Sequence, residues 1–188
     1  MIRKIIIGFL LVISCNSLYS LDLAIKPKIG GGFSTFSGIE EIRSMFSFLV
    51  GGGIISHFSD RFSAELGLIY QMKGTRGRNL SSTLACLSVP ITARVKFVEH
   101  LSLLVGPQVS FTLNANTNGV DTRNYTRSTN FDIVFGASYY FLQGKDRLIF
   151  EFIVEAGISD LSNANHPFIR ENSKNRAGYF IIGWEFSL

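Results

Sequence analysis

The sequence predicts an all-β fold, an eight-stranded antiparallel up-and-down transmembrane β-barrel, on three observations. Apolar residues recur at period two over segments of about 12–15 residues, the apolar faces carry no charge, and the connections alternate between short and long. Composition agrees with this. The chain is 46% hydrophobic and 13% aromatic but 17% charged, with 17 Phe against 1 Trp, which suits strands and lipid-facing surfaces and excludes a disordered chain. The formal net charge is +4, yet no basic run exceeds two residues, so a footprint for a phosphate backbone is missing.

Residues 1–20 follow a different logic and read as a signal peptide. Met1-Ile2-Arg3-Lys4 is a basic start, Ile5–Ile13 is an apolar run too short to span a bilayer as a helix, and Ser14–Ser20 is small and polar. The expected mature chain is a barrel domain over 21–188. Val12-Ile13-Ser14-Cys15 also fits a lipobox in which Cys15 is lipidated; otherwise Cys15 leaves with the leader and Cys86 is the remaining thiol. No disulfide framework follows from that count.

The eight strands are expected at roughly 22–34, 44–57, 61–74, 83–97, 101–113, 130–142, 147–158 and 176–188, longer than strands of soluble proteins. In the first two, Gly30-Gly31-Gly32 and Gly51-Gly52-Gly53 blur the alternation, as suits a strongly coiled small barrel. The third is the clearest: Phe62, Ala64, Leu66, Leu68, Tyr70 and Met72 share one face, with Glu65, Gly67, Gln71 and Lys73 opposite. The fourth, fifth and sixth follow the same rule, the fifth through Leu103, Val105 and Phe111, the sixth through Phe131, Ile133 and Phe135. In the last two, Phe150 and Phe152, then Phe180, Ile182, Trp184 and Phe186, continue it. Pro27, Pro90 and Pro107 fall inside strands, where bulges or local irregularities are expected.

Residues 58–60, 98–100 and 143–146 are tight turns, whereas 35–43, 75–82, 114–129 and 159–175 are longer and polar. Eight strands then leave both termini on the short-turn, periplasmic side. With the apolar set facing lipid, the lumen receives Lys26, Lys28, Lys73, Arg94 and Lys96 together with Glu65, Asp132, Glu151, Glu155 and Glu185. An eight-stranded barrel is only wide enough for side chains to fill, so equal numbers of opposite charges predict a plug of paired side chains. Centring the third loop near Gly77–Asn79 sets Glu65 opposite Arg94 on the neighbouring strand.

The segments Ile25–Ser34, Phe62–Gly74, Leu84–Arg94 with Val89-Pro90, and Gly106-Pro107-Gln108 resemble, in this order and spacing, the PorT-like family of small bacterial outer-membrane β-barrels. The resemblance implies the barrel fold and an outer-membrane location for nearly the whole mature chain, and no molecular activity. It departs at the terminus, where Leu188 stands in place of a final aromatic residue and Phe186 lies two positions before it.

Nothing in the sequence reads as a convincing active site. His57, His100 and His166 fall at a strand end, a turn and a long loop; a Ser56–His57 or Ser162–His166 lipid hydrolase is the weakest of the alternatives. No Cys/His cluster or carboxylate set suits a metal, and the glycine triplets lack phosphate-loop spacing, so no cofactor is expected. Cys86 is expected to pack inward. The long loops and their margins carry Arg43, Arg76, Arg78, Arg123, Arg127, Arg170, Lys174 and Arg176 against Glu40, Glu41, Asp121, Asp160 and Glu171, an excess suited to outer-leaflet glycolipid or a surface ligand. The functional expectation is a monomeric, non-enzymatic outer-membrane barrel with a plugged lumen and outward loops, serving envelope structure, assembly or surface interaction. A narrow channel is the main alternative.

Overall fold

Period-two alternation becomes strand throughout the computed structural model, which describes residues 22–37, 43–77, 81–141, 146–161 and 173–188. The strands are β1 (Asp22–Phe36), β2 (Arg43–His57), β3 (Phe62–Arg76), β4 (Ser81–Val98), β5 (Leu101–Thr117), β6 (Val120–Asp121), β7 (Thr129–Tyr140), β8 (Asp146–Gly157) and β9 (Asn175–Ser187). All but the two-residue β6 form one antiparallel meander, and pairing of β9 with β1 and of β4 with β5 closes it. Closure leaves no sheet edge, which a lipid environment requires because unpaired backbone groups have no water there. The barrel expected from the sequence is the barrel observed.

Alternation sorts the side chains by face. Leu66, Leu68, Phe131, Phe180 and Ile182 are exposed on the outer wall, while Glu65, Gln71, Lys73, Asp132 and Ile181 are buried inside. The barrel therefore inverts the usual inside–outside rule, with apolar residues out and charge in.

Two local expectations change, the first only in part, because each strand proline brings a local irregularity but no bulge. No register shift falls at a proline; around Pro27 on β1–β9, around Pro90 on β3–β4 and around Pro107 on β4–β5 the ladder omits residues and resumes in the same register. A missing N–H removes a bond without inserting a residue. The shifts lie instead at Ser44/Phe48, Ala85/Cys86 and Lys96/Val98. At the first, β2 leaves β3, and the Ser34 hydroxyl of β1 replaces the lost ladder by accepting from Gly74 N at 2.7 Å and donating to Gly74 O at 2.8 Å.

The second correction concerns residues 114–129, expected as loop. β5 runs on to Thr117 and turns back into β6 at Asn118-Gly119, with φ of 53° and 82°. Asn-Gly is the signature of a two-residue hairpin turn with both central residues left-handed, so the signal was present.

Glycine permits the tight coil of the wall where backbones touch. A Cβ at Gly32 would overlap the Gly178 carbonyl, and one at Gly106 the Ile91 carbonyl. The Gly31 and Gly51 runs seen in the sequence thus lie on strands that approach closely.

Candidate functional site

Inward residues along β3 run Glu65, Gly67, Ile69, Gln71, Lys73, and those along β8 run Glu151, Ile153, Glu155. That order splits the lumen charges into two clusters with an apolar step between them, because strand period two places every second residue inside.

The cluster nearer the short turns joins β1, β3, β4 and β8. Lys26 Nζ donates to Glu65 Oε2 at 2.7 Å and to Glu151 Oε1 at 2.8 Å, and Lys28 Nζ donates to Glu65 Oε1 at 2.7 Å. Arg94 donates from Nε to Glu65 at 3.1 Å, from Nη2 to both Glu65 and Glu151, and from Nη1 to Ser138 Oγ at 2.8 Å. Lys26 is 0% exposed, and Glu65 and Arg94 are each 2% exposed. Three cations meet two carboxylates here.

Arg94 does not lie opposite Glu65. The register pairs Glu65 with Thr92 and Arg94 with Ser63, a displacement of two residues that keeps the face and turns a direct pair into a diagonal one. The long guanidinium stem spans the diagonal.

The second cluster lies toward the long loops. Lys73 Nζ sits 2.6 Å from Glu155 Oε2 and 3.9 Å from Asp132 Oδ2. Gln71 donates to Glu155, Ser88 Oγ donates to Gln71 Oε1 at 2.8 Å, and Ser110 Oγ donates to Asp132 Oδ2 at 3.2 Å. Sequence reasoning found the charges and missed this amide and hydroxyl scaffold, although Gln71, Ser88, Gln108 and Ser110 share the inward phase and are buried. Here one cation meets two carboxylates, so the clusters carry opposite imbalances.

Between the clusters, Leu49, Ile69, Leu104, Val134, Ile153 and Ile181 form one buried apolar group with Ala177 and Tyr179. Cys86 is buried in a separate group with Phe36, Leu84, Ala115 and Leu161 toward the long-loop end.

Glu185 and Lys96 leave the two-cluster plan. Glu185 Oε1 accepts from His57 Nε2 at 3.1 Å and Arg147 Nη1 at 3.3 Å near the short-turn end. Lys96 has the inward phase but lies beyond the plug, exposed, and makes no ion pair among the described residues. The register shift at Lys96/Val98 and its place at the end of β4 put it on the rim. There it lines an open vestibule of about 630 Å³ with Arg61, Glu99, Ser102, Tyr140 and Arg147.

The serine–histidine pairings considered for lipid hydrolysis do not assemble at the described pair. His57 Nε2 faces Glu185, and Ser56 Oγ is buried with no hydrogen-bond partner. His100 stacks beside Tyr139 with ring centroids 6.0 Å apart. Ser162 and His166, Cys15 and residues 1–20 lie outside the described residues, as do Glu40, Glu41, Arg78, Arg170 and Glu171. Among the described residues no cluster of His, Cys, Asp or Glu is placed to hold a metal ion.

The two barrel ends differ in charge. Among the described residues the long-loop end carries Arg43, Arg76, Arg123, Arg127, Lys174 and Arg176 against Asp121 and Asp160, whereas the short-turn end carries Arg61, Lys96 and Arg147 against Asp22, Asp60, Glu99 and Asp146.

The family model described as outer membrane protein beta-barrel domain matches residues 16–163. No curated protein matches the chain at a significant level. Among solved structures it is similar to Neisserial surface protein A, with 12% identity over 88% of this chain and 99% of that one at a TM-score of 0.54. It is also similar to Ail of Yersinia pestis, at 12% identity, 89% and 99% coverage and a TM-score of 0.49. OprG of Pseudomonas aeruginosa is similar at 8% identity, 90% and 97% coverage and 0.46. At 12% identity the likeness to Neisserial surface protein A speaks to fold alone.

Proposed function

This chain belongs to the outer membrane protein beta-barrel domain family, and from that premise we propose a non-enzymatic barrel with a sealed lumen that acts through its long loops. In this reading a signal peptide over 1–20 exports it, the short turns and termini face the periplasm, and the loops face outward to serve envelope structure, assembly or surface interaction. The finer kinship, with PorT-like barrels, rests on the ordered segments Ile25–Ser34, Phe62–Gly74, Leu84–Arg94 and Gly106–Gln108.

One observation carries the proposal: the ion-paired cluster of Lys26, Glu65, Arg94 and Glu151 ties four strands together inside the barrel through groups that are 3% exposed or less, and an apolar layer lies above it. An ion crossing this barrel has to displace paired charges and then pass a layer that is apolar except for the Tyr179 hydroxyl. Ser56 and His57 are successive residues of β2 and so point to opposite faces of the wall, which supports the non-enzymatic part of the reading.

Planar-bilayer recording of refolded protein, with surface labelling of whole cells, tests it. The expected results are no steady conductance steps, labelling of a Cys at Asn118 by a membrane-impermeant reagent, and protection of a Cys at Ser59. Reproducible steps would make the protein a narrow channel entered through the 630 Å³ vestibule; labelling at Ser59 but not Asn118 would reverse the orientation.

A further inference from the structure

The outer wall is apolar over most of its height and turns cationic along the rim of β3, β2 and β9. Arg76 on β3 and Arg43 on β2 are direct cross-strand partners. Thr35 on β1 pairs with Arg176 on β9. Alternation puts Arg76 and Arg176 on the outward face, in phase with exposed Leu66 and Leu68 on β3 and with Phe180 and Ile182 on β9. All three arginines are exposed, and none makes an ion pair among the described residues. The strand order β3-β2-β1-β9 sets them along one stretch of rim on the order of 14 Å wide, three inter-strand spacings.

Like charges directly opposite each other weaken a ladder, so a pair of this kind, with no carboxylate beside it among the described residues, favours an anion at the rim. The level of the arginines says which kind of anion. Below them lie Phe33 of β1 and Phe46 of β2, edge to face at 6.3 Å, and Phe180 of β9 against Phe152 of the adjoining β8 at 4.9 Å. Aromatic girdles mark the membrane–water interface of such barrels, which places the guanidinium groups one step further out, at headgroup height.

A groove of about 260 Å³ adjoins them on the outside of the wall. Phe33, Val154, Ala156 and Gly178 form its apolar part, and Arg176 with Thr35 and Ser44 forms its upper edge. Gly178 keeps it open: the nearest atom to a Cβ there is the Ile153 carbonyl oxygen at 3.9 Å. A charged edge above an apolar trough matches a lipid, with phosphate on the arginines and acyl chain in the groove.

We propose that this rim binds a phosphorylated glycolipid of the leaflet on the long-loop side, its phosphates held by Arg43, Arg76 and Arg176 and one acyl chain laid over Gly178. The site rests on the outward orientation of the loops given above. The guanidinium fork suits phosphate oxygens better than an ammonium does, and the cationic excess of the whole long-loop end favours the same sign of ligand. A glycolipid headgroup, broader than that of a single-phosphate phospholipid, also matches a site spread over four strands.

Native mass spectrometry of the refolded barrel in detergent tests the assignment, with three probes: a bis-phosphorylated glycolipid, the same lipid after phosphatase treatment, and phosphatidylglycerol. The full chain is expected to retain the phosphorylated glycolipid at least tenfold more than either other probe. The R43Q/R76Q/R176Q variant should fall to the level of the dephosphorylated lipid, and Gly178→Leu, which fills the groove without changing charge, should also lose retention. Undiminished binding by the triple variant, equal retention of the dephosphorylated lipid, or equal retention of phosphatidylglycerol each overturns the proposal. Since this measurement uses no cells, failure here with Asn118 still labelled from outside counts against the site alone, and reversed labelling counts against the orientation alone.

Discussion

Removing Glu65 should cost the barrel far more than removing its partner Arg94, although the two are joined by the same ion pair. Glu65 accepts from Lys26, Lys28 and Arg94, so Glu65→Gln leaves three buried cations facing Glu151. Breaking a buried pair in this way costs about 3–5 kcal/mol. Arg94→Met instead leaves Lys26 and Lys28 against Glu65 and Glu151, a balanced set in which each carboxylate keeps a lysine within 2.8 Å. Its cost should be roughly half or less of the Glu65→Gln cost, since no charge is left unpaired. The double variant restores the native excess of one positive charge and should recover part of the loss. Lys28→Met, which removes that excess, should stay within about 1 kcal/mol of the parent. Urea unfolding in lipid vesicles, followed by fluorescence of Trp184, the single tryptophan of the chain, reads these differences. With a slope of about 2 kcal/mol per molar urea, Glu65→Gln should lower the midpoint by roughly 1.5–2.5 M. Equal costs for Glu65→Gln and Arg94→Met, with simple additivity in the double variant, would refute the charge-balance reasoning and the inward cluster with it.

Three further outcomes follow from the same geometry. Gly106→Ala should cost about 2–3 kcal/mol or block refolding, because its Cβ overlaps the Ile91 carbonyl, whereas Gly178→Ala should refold like the parent; heat-shifted gel mobility separates the two. A Cys replacing Lys96 on the vestibule rim should react with a bulky thiol reagent in detergent at least tenfold faster than one replacing Arg94, and similar rates would mean the lumen is open past the plug. Gly119→Val strains a residue at φ 82° and should lower stability by about 1 kcal/mol, read as a small fall in the urea midpoint; no change would mean that the β5–β6 hairpin contributes nothing to folding.

Fold class was legible because a barrel in lipid admits one solution: every strand must alternate, every edge must be paired, and loops must fall at the ends. Leu66-Gly67-Leu68 and Phe150-Glu151-Phe152 state that rule locally, and period two assigns Glu65, Lys73, Arg94, Asp132, Glu151 and Glu155 to one face without tertiary information. The Asn118-Gly119 turn is an equally local signal, but the polar segment around it lacks the alternation that marks the other strands.

What the sequence could not supply was distance across the lumen. Register between β3 and β4 depends on where a chain reversal closes, and a centre misjudged by one residue moves Arg94 from opposite Glu65 to opposite Ser63. The order along β3 and β8 sets the charges at two levels with Ile69 and Ile153 between them, but which charges meet at each level, and so the sign of each excess, depends on which strands face each other across the barrel. Strand tilt decides that, and it has no signature in any one strand. Lys96 shows the same limit: its phase is inward, but only the end of β4 and the shift beside it decide that inward there means rim and not plug. Alternation is a property of the backbone at each residue, whereas pairing across a lumen is a property of closure, so the chain encodes the first locally and acquires the second only when the last strand meets the first.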